Sequence, residues 1–247
     1  MFTPWIDSRV LRRIGSFVLA IHSVLQSPWV KLRGRVVGGV FAWFLVAAGA
    51  AHAGDGPFGI DHELALDQNG IWARKYQTAL ENGVIATEVV GALWLGNDTA
   101  LGHTFWQAID SSTLSAVGAE ILKYGFSRAR PSQGDNPNQW FKGSCCQSFP
   151  SGEVTLQASF VTPFIADYAR QNPWIWSLEL LPAYDALARL KSQAHWQSDV
   201  IAGWALGSAI GYWSTTRPVP LSVQVLPKGL SVGFSKRFKC RCSPRSR

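Results

Sequence analysis

Lys123 and Arg130 stand seven residues apart in the segment KYGFSRARP, with Pro131 immediately after. Seven residues is about two helical turns, so both cations fall on one face of a helix that Pro131 ends. Further on, Phe149-Pro150-Ser151-Gly152-Glu153 reads as a turn opening a helix. The first backbone N–H groups of such a helix have no acceptor inside it and can hold an anion. A third group is Arg189, His195 and Asp199. His195 and Asp199 are four residues apart, so on one helix the carboxylate can reach an imidazole nitrogen. Each group alone has an ordinary structural explanation, because cations cap helix C-termini and acids favour helix N-termini. Together, three cations, a helix N-terminus and an oriented imidazole are the parts a phosphoryl-transfer site needs.

These residues need helices to place them. Apolar residues recur at three- and four-residue spacing over about Thr78–Leu95 and again over Phe105–Lys123, which predicts two helices. Residues 131–150, PSQGDNPNQWFKGSCCQSFP, are rich in Pro, Gly, Asn and Ser and predict a long loop of the kind that carries function. Helical pattern returns over Glu153–Arg170, stops at Asn172-Pro173, resumes over Trp174–Leu190, and covers about His195–Trp213 in a last helix. The segment LSVQVLPKGLSVGF alternates around Pro-Lys-Gly and predicts a β-hairpin.

Composition narrows the function. The chain has 247 residues, 47% hydrophobic and 16% charged, which is enough to bury a core. Its net charge of +7 is concentrated at the ends: residues 1–53 carry six Lys/Arg against one Asp, and residues 228–247 carry seven against no acid. Residues 54–227 carry ten Lys/Arg against fifteen acids, so the folded body offers no general basic surface to nucleic acid. Lys31, Arg33 and Arg35 precede the apolar run VVGGVFAWFLVAAGAA and Ala51-His52-Ala53, the pattern of a secretory leader, with a retained anchor as the alternative. Export to the periplasm or cell envelope follows from that pattern. The basic tail is either solvated or drawn to anionic lipid at a membrane surface. Residues 1–53 thus read as a targeting segment, 54–217 as a helical domain, and 218–247 as hairpin and tail. Cys145, Cys146, Cys240 and Cys242 leave open a bridge from loop to tail, or free thiols. Their spacing does not suit zinc.

The order K-x6-R-P, P-S-G, R-x5-H-x3-D resembles the signature of the type-2 phosphatidic acid phosphatase superfamily, which also contains bacterial class A acid phosphatases and vanadium haloperoxidases. The likeness spans residues 123–199, and VIAGWALGSAIGYW after it is similar to the family's closing helix. The resemblance implies an all-α helical bundle and a reaction that needs no metal or other cofactor. It assigns Lys123, Arg130 and Arg189 to the non-bridging phosphate oxygens, with Ser151 and the Gly152 N–H adding hydrogen bonds. His195 would attack phosphorus and form a phosphohistidine, and Asp199 would hold the other ring nitrogen.

The sequence departs from that pattern at two places. Ala188 replaces a Ser before Arg189, a small change. Glu153 replaces the His that follows Pro-Ser-Gly and protonates the leaving oxygen. Glu153 then either serves as that acid, favouring acidic pH, or yields the role to water or another group such as His103, or leaves a site that binds phosphate and turns over poorly. The functions implied are an exported phosphatase acting on phosphomonoesters or lipid-linked phosphates, a weakly active or non-catalytic phosphate-binding envelope protein, and, with less support, a vanadate-dependent haloperoxidase.

Overall fold

The computed structural model describes residues 56–217, 222–226 and 229–233, all within one compact unit, Ala53–Arg247. The leader expected in residues 1–53 and the basic tail with Cys240 and Cys242 lie outside the described residues. Five α-helices carry the fold: α1 Arg74–Leu95, α2 Ala100–Phe126, α3 Gly152–Tyr168, α4 Leu180–Lys191 and α5 Gln197–Thr215. Strands β1 Ser222–Leu226 and β2 Gly229–Gly233 pair antiparallel, with Val223 opposite Val232 and Val225 opposite Leu230, which is the expected hairpin. Among the described residues, no helix is long and apolar enough to cross a membrane.

The helices begin and end for local reasons. Thr99 caps α2 by accepting the Gly102 N–H at 3.0 Å. At the other end Ser127 takes a left-handed conformation, φ 40°, and its N–H bonds back to the Lys123 carbonyl. The segment Trp174–Leu190, expected as one helix, is a 3₁₀ turn over Pro173–Glu179 followed by α4. Pro163 sits inside α3 and cannot donate to the carbonyl of Ser159 four residues earlier. Ser111 of α2 supplies the missing donor: its Oγ reaches the Ser159 carbonyl at 2.8 Å in the buried interface.

Packing is tightest between α3 and α5. Gly203, Gly207 and Gly211 line one face of α5 at four-residue spacing, and α3 lies directly on that face. A Cβ at Gly207 would stand 2.3 Å from the Thr155 carbonyl oxygen, and one at Gly203 would stand 2.6 Å from that of Ser151. No side chain fits there, so the backbones themselves set the distance. The start of α5 is thereby held against the start of α3, which is where two of the sequence motifs lie. An apolar core of Val84, Ala108, Phe160, Val161, Phe164 and Ile165 fills the bundle behind them, with Phe105 edge-on to Phe164 at 4.9 Å.

The loop from Ser127 to Ser151 folds back on the end of α2. Phe141 and Lys142 donate to the carbonyls of Phe126 and Ser127, and Ser148 donates to that of Arg128. Phe126, Trp140 and Phe149 form an edge-to-face cluster beneath it. Its anchor is Arg128, whose side chain is fully buried. The guanidinium meets Asp199 Oδ1 at 2.5 Å and Asp61 Oδ2 at 2.6 Å, donates to Ser198 Oγ and to the Pro137 carbonyl, and lies over the Trp140 ring at 4.4 Å. One side chain thus ties the segment before α1, the long loop and the first turn of α5.

Two outcomes test these supports. At an open helical site Gly→Ala stabilises by up to about 1 kcal/mol. Gly207→Ala is expected instead to cost about 1–3 kcal/mol in a denaturant titration, because α3 must move away. Arg128→Met leaves two buried carboxylates without their cation and is expected to cost about 3–5 kcal/mol by the same measurement.

Candidate active site

The three motifs meet at one end of the bundle. Lys123 projects from the last turn of α2 and its ammonium lies beside the first residue of α3: a Cβ on Gly152 would stand 2.9 Å from Lys123 Nζ. Glycine at 152 therefore makes room for the cation. Lys123 also meets Glu120 at 2.5 Å on its own helix. Arg130 leaves the loop just before the 3₁₀ turn Pro131–Gln133 and donates to the carbonyls of Ala194, at 3.3 Å, and Gln147, at 3.4 Å. Arg189 comes from the last turn of α4 and donates to Gln77 Oε1 at 3.1 Å. Burial is the main influence on both arginines and lowers their pKa. An incoming anion would offset that cost.

Two buried atoms face this region without a hydrogen-bond partner among the described residues, Ser151 Oγ and Arg189 Nε. Both belong to residues that the resemblance assigns to phosphate oxygens. The first N–H groups of α3 have no acceptor within the helix. The donor set therefore suits a tetrahedral oxyanion.

His195 lies one residue before Trp196, the N-cap of α5, and so is not on the helix that holds Asp199. The expected direct hydrogen bond between them is absent: His195 Nδ1 is 3.9 Å from Asp199 Oδ2. Nδ1 instead lies 2.6 Å from the Ser148 carbonyl. A carbonyl only accepts, so Nδ1 carries the ring proton and Nε2 keeps its lone pair. Asp199 supports the ring at one remove. Ser148 Oγ donates to Asp199 Oδ2 at 2.5 Å, and the Trp196 N–H donates to the same oxygen at 2.9 Å. The carboxylate is the third residue of a capping box and the counter-ion of Arg128, which is why it faces the loop rather than the imidazole. Burial, then the charges of Arg189 and Arg130, hold the His195 pKa well below its usual value. The ring is a neutral imidazole surrounded by cations.

Glu153 is the second residue of α3 and faces two guanidinium groups. Its Oε2 meets Arg74 Nη1 at 2.6 Å and its Oε1 lies 3.7 Å from Arg189 Nη1. Arg74 also donates to Gln77 Oε1 at 3.2 Å, so Gln77 bridges the two arginines. His103, the alternative proton donor, does not reach the site. It lies in the first turn of α2, with Nδ1 2.9 Å from Asn97 Oδ1, and the helix carries Lys123 roughly 30 Å away.

Four contributors were not singled out in the sequence. Arg74 and Gln77 precede the motifs by some fifty residues, and nothing in their spacing marks them. Arg128 sits inside the first motif, between the two cations that drew attention. Ser148 acts partly through a backbone carbonyl, which no residue type announces. Cys145 and Cys146, in the loop beside these residues, are joined to each other, so the expected alternatives of a bridge to the tail or free thiols do not hold for this pair.

The chain is similar to several known proteins. Lipid A 1-phosphatase of Porphyromonas gingivalis is 30% identical over 96 residues, covering 37% of this chain and 19% of that protein. Undecaprenyl-diphosphatase of Sulfolobus acidocaldarius is 29% identical over 122 residues, covering 47% of this chain and 58% of that protein. The chain thus spans about a fifth and somewhat over half of these two relatives' lengths. Among solved structures, Aquifex aeolicus LpxE superposes with a TM-score of 0.41 at 20% identity, over 56% of this chain and 87% of that one. A transmembrane PAP2 type phosphatidylglycerolphosphate phosphatase from Bacillus subtilis gives 0.45 at 13% identity, over 83% and 93%. The family model of the PAP2 superfamily matches residues 105–220, the stretch that holds every cation of the three motifs, and that stretch is a PAP2 superfamily domain.

Proposed function

We propose that the chain is a phosphatase of phosphorylated lipids that works through a phosphohistidine on His195. The carrying observation is the Nδ1 contact with the Ser148 carbonyl, which leaves Nε2 as an unprotonated nucleophile beside Lys123, Arg130 and Arg189. The cations and the Ser151 hydroxyl would hold the non-bridging oxygens. Nε2 attacks phosphorus as the bond to the leaving oxygen breaks, and the leaving group takes that electron pair. Water then attacks phosphorus, the P–N bond breaks, and phosphate leaves with the imidazole restored. Asp199 acts through Ser148 as a positioning residue, without a direct hydrogen bond to the ring.

A lipid substrate is supported by the surface around Lys123. Ile121 and Tyr124, its neighbours on α2, are 66% and 65% exposed, and Phe141 of the loop is 72% exposed. Exposed apolar side chains on the helix that carries Lys123 and on the adjoining loop suit a phosphate carried on an acyl or prenyl chain. Lipid A 1-phosphatase and undecaprenyl-diphosphatase, the two relatives above, bear the names of enzymes acting on such compounds. The envelope is the corresponding location, with the apolar run in residues 36–51 as leader or anchor. A phosphate-binding protein without turnover is the competing reading.

Phosphate release by wild type and His195→Ala over pH 4–8 tests this. Loss of His195 is expected to lower release by on the order of 10³-fold or more. A depressed imidazole pKa keeps Nε2 unprotonated as pH falls through the ordinary histidine range, so wild-type release should persist at pH 5 without a decline centred near about 6.5. Release that is the same in both proteins would remove the nucleophile from this reading, and no release from either would favour the binding protein.

A further inference from the structure

Arg74 lies outside the family's matched residues, yet it makes the closest polar contact of Glu153, the residue standing in the proton donor's place. Both oxygens of that carboxyl face guanidinium nitrogens, at 2.6 Å from Arg74 and 3.7 Å from Arg189. A carboxyl engaged in this way offers acceptors, not an O–H. We propose that Arg74 is a positioning residue that fixes Glu153 as a proton-free acceptor, so that the site cleaves only phosphates whose leaving group departs as a stable anion. The proposal rests on the phosphatase reading and names its substrate class: phosphoanhydrides, such as a lipid diphosphate, ahead of alkyl phosphomonoesters.

The surroundings agree from every element that reaches Glu153. Arg74 and Glu81 come from α1, Arg130 from the loop, and Asp185 and Arg189 from α4. Three cations act on it. Of the two acids, Asp185 is 1% exposed, has no hydrogen-bond partner on either oxygen among the described residues, and is pushed up to about 7 by burial, with Glu153 the next cause. The Glu153 pair also raises the pKa of Arg74, chiefly through their hydrogen bond. Arg74 is half exposed at the rim, where it can accompany a leaving phosphate but gives no help to an alkoxide in need of a proton.

The chemistry then separates substrates. As the His195 Nε2–P bond forms, the P–O bond breaks and its electron pair goes to the bridging oxygen. In a diphosphate that oxygen remains on a phosphate and is stable without a proton. In an alkyl monoester it becomes an alkoxide, and lost proton donation slows the step by roughly 10² to 10⁴.

The experiment compares an alkyl diphosphate, 4-nitrophenyl phosphate and an alkyl monophosphate with wild type, Arg74→Met, Arg74→Lys and His195→Ala, from pH 4.5 to 8. Wild type is expected to turn over the first two at least about 10²-fold faster than the alkyl monophosphate at every pH. Arg74→Met should shrink that ratio tenfold or more, because the Glu153 oxygen that Arg74 occupies is then open to the leaving group. Arg74→Lys, which keeps a cation, should retain the wild-type ratio. His195-dependent turnover with no preference among leaving groups overturns this proposal and leaves the phosphatase reading standing. A uniform drop on all three substrates in Arg74→Met, with the ratio unchanged, also overturns it by reducing Arg74 to fold support. Release that does not depend on His195 defeats both. Should Arg74→Met not fold, the wild-type ratio alone still decides.

Discussion

The buried guanidinium of Arg128 is the constraint on which the site depends. It has no exposure to water and is held by Asp61, Asp199, Ser198 and the Pro137 carbonyl, with Trp140 against its face. A charge buried this deeply is tolerated only when every donor is matched, so the three chain segments that supply acceptors have little freedom relative to one another. Asp199, fixed by Arg128, accepts from Ser148 and from the Trp196 N–H. Ser148, fixed by Asp199, offers its carbonyl to His195 Nδ1. The tautomer of the His195 ring is thus the last link of a chain that begins at the buried Arg128.

A second constraint gathers the cations at this end of the bundle. The near contact of α3 and α5, enforced at Gly203 and Gly207, brings the start of α3 next to the start of α5. Lys123 fits beside Gly152, and Arg189 and Arg130 close the remaining sides. The two helix starts contribute differently: α3 offers free N–H groups to an anion, whereas α5 spends its first turn on the Asp199 capping box. Glu153 adds a negative charge to this cationic end, and the structure answers with Arg74 from a helix that lies before the family's matched region.

The helices were legible in the sequence because apolar spacing and Pro, Gly and Asn breaks are local signals. Even the hairpin around Pro-Lys-Gly appears where alternation placed it. The cations were legible as well, since their spacing on α2 and at the end of α4 follows from helical geometry. The link from Asp199 to His195 is longer than a hydrogen bond, at 3.9 Å, for a physical reason. Four-residue spacing implies contact only if both residues are helical, and His195 precedes the N-cap. Arg74, Gln77 and Asp61 were invisible, because their roles come from tertiary packing over separations of 67 residues or more. Of the choices left open at Glu153, the structure removes His103 by distance and shows the carboxyl already engaged by Arg74.

The most direct test of the account is to find the covalent intermediate. The enzyme would be mixed with a substrate radiolabelled in its terminal phosphate, quenched in alkali within the first turnover, and digested for peptide mapping. Label that survives alkali, is lost in acid and maps to the peptide containing His195 is the predicted result. Label on a different residue, or turnover at a normal rate with no trapped phosphate at any time, would contradict the central claim that His195 Nε2 is the nucleophile.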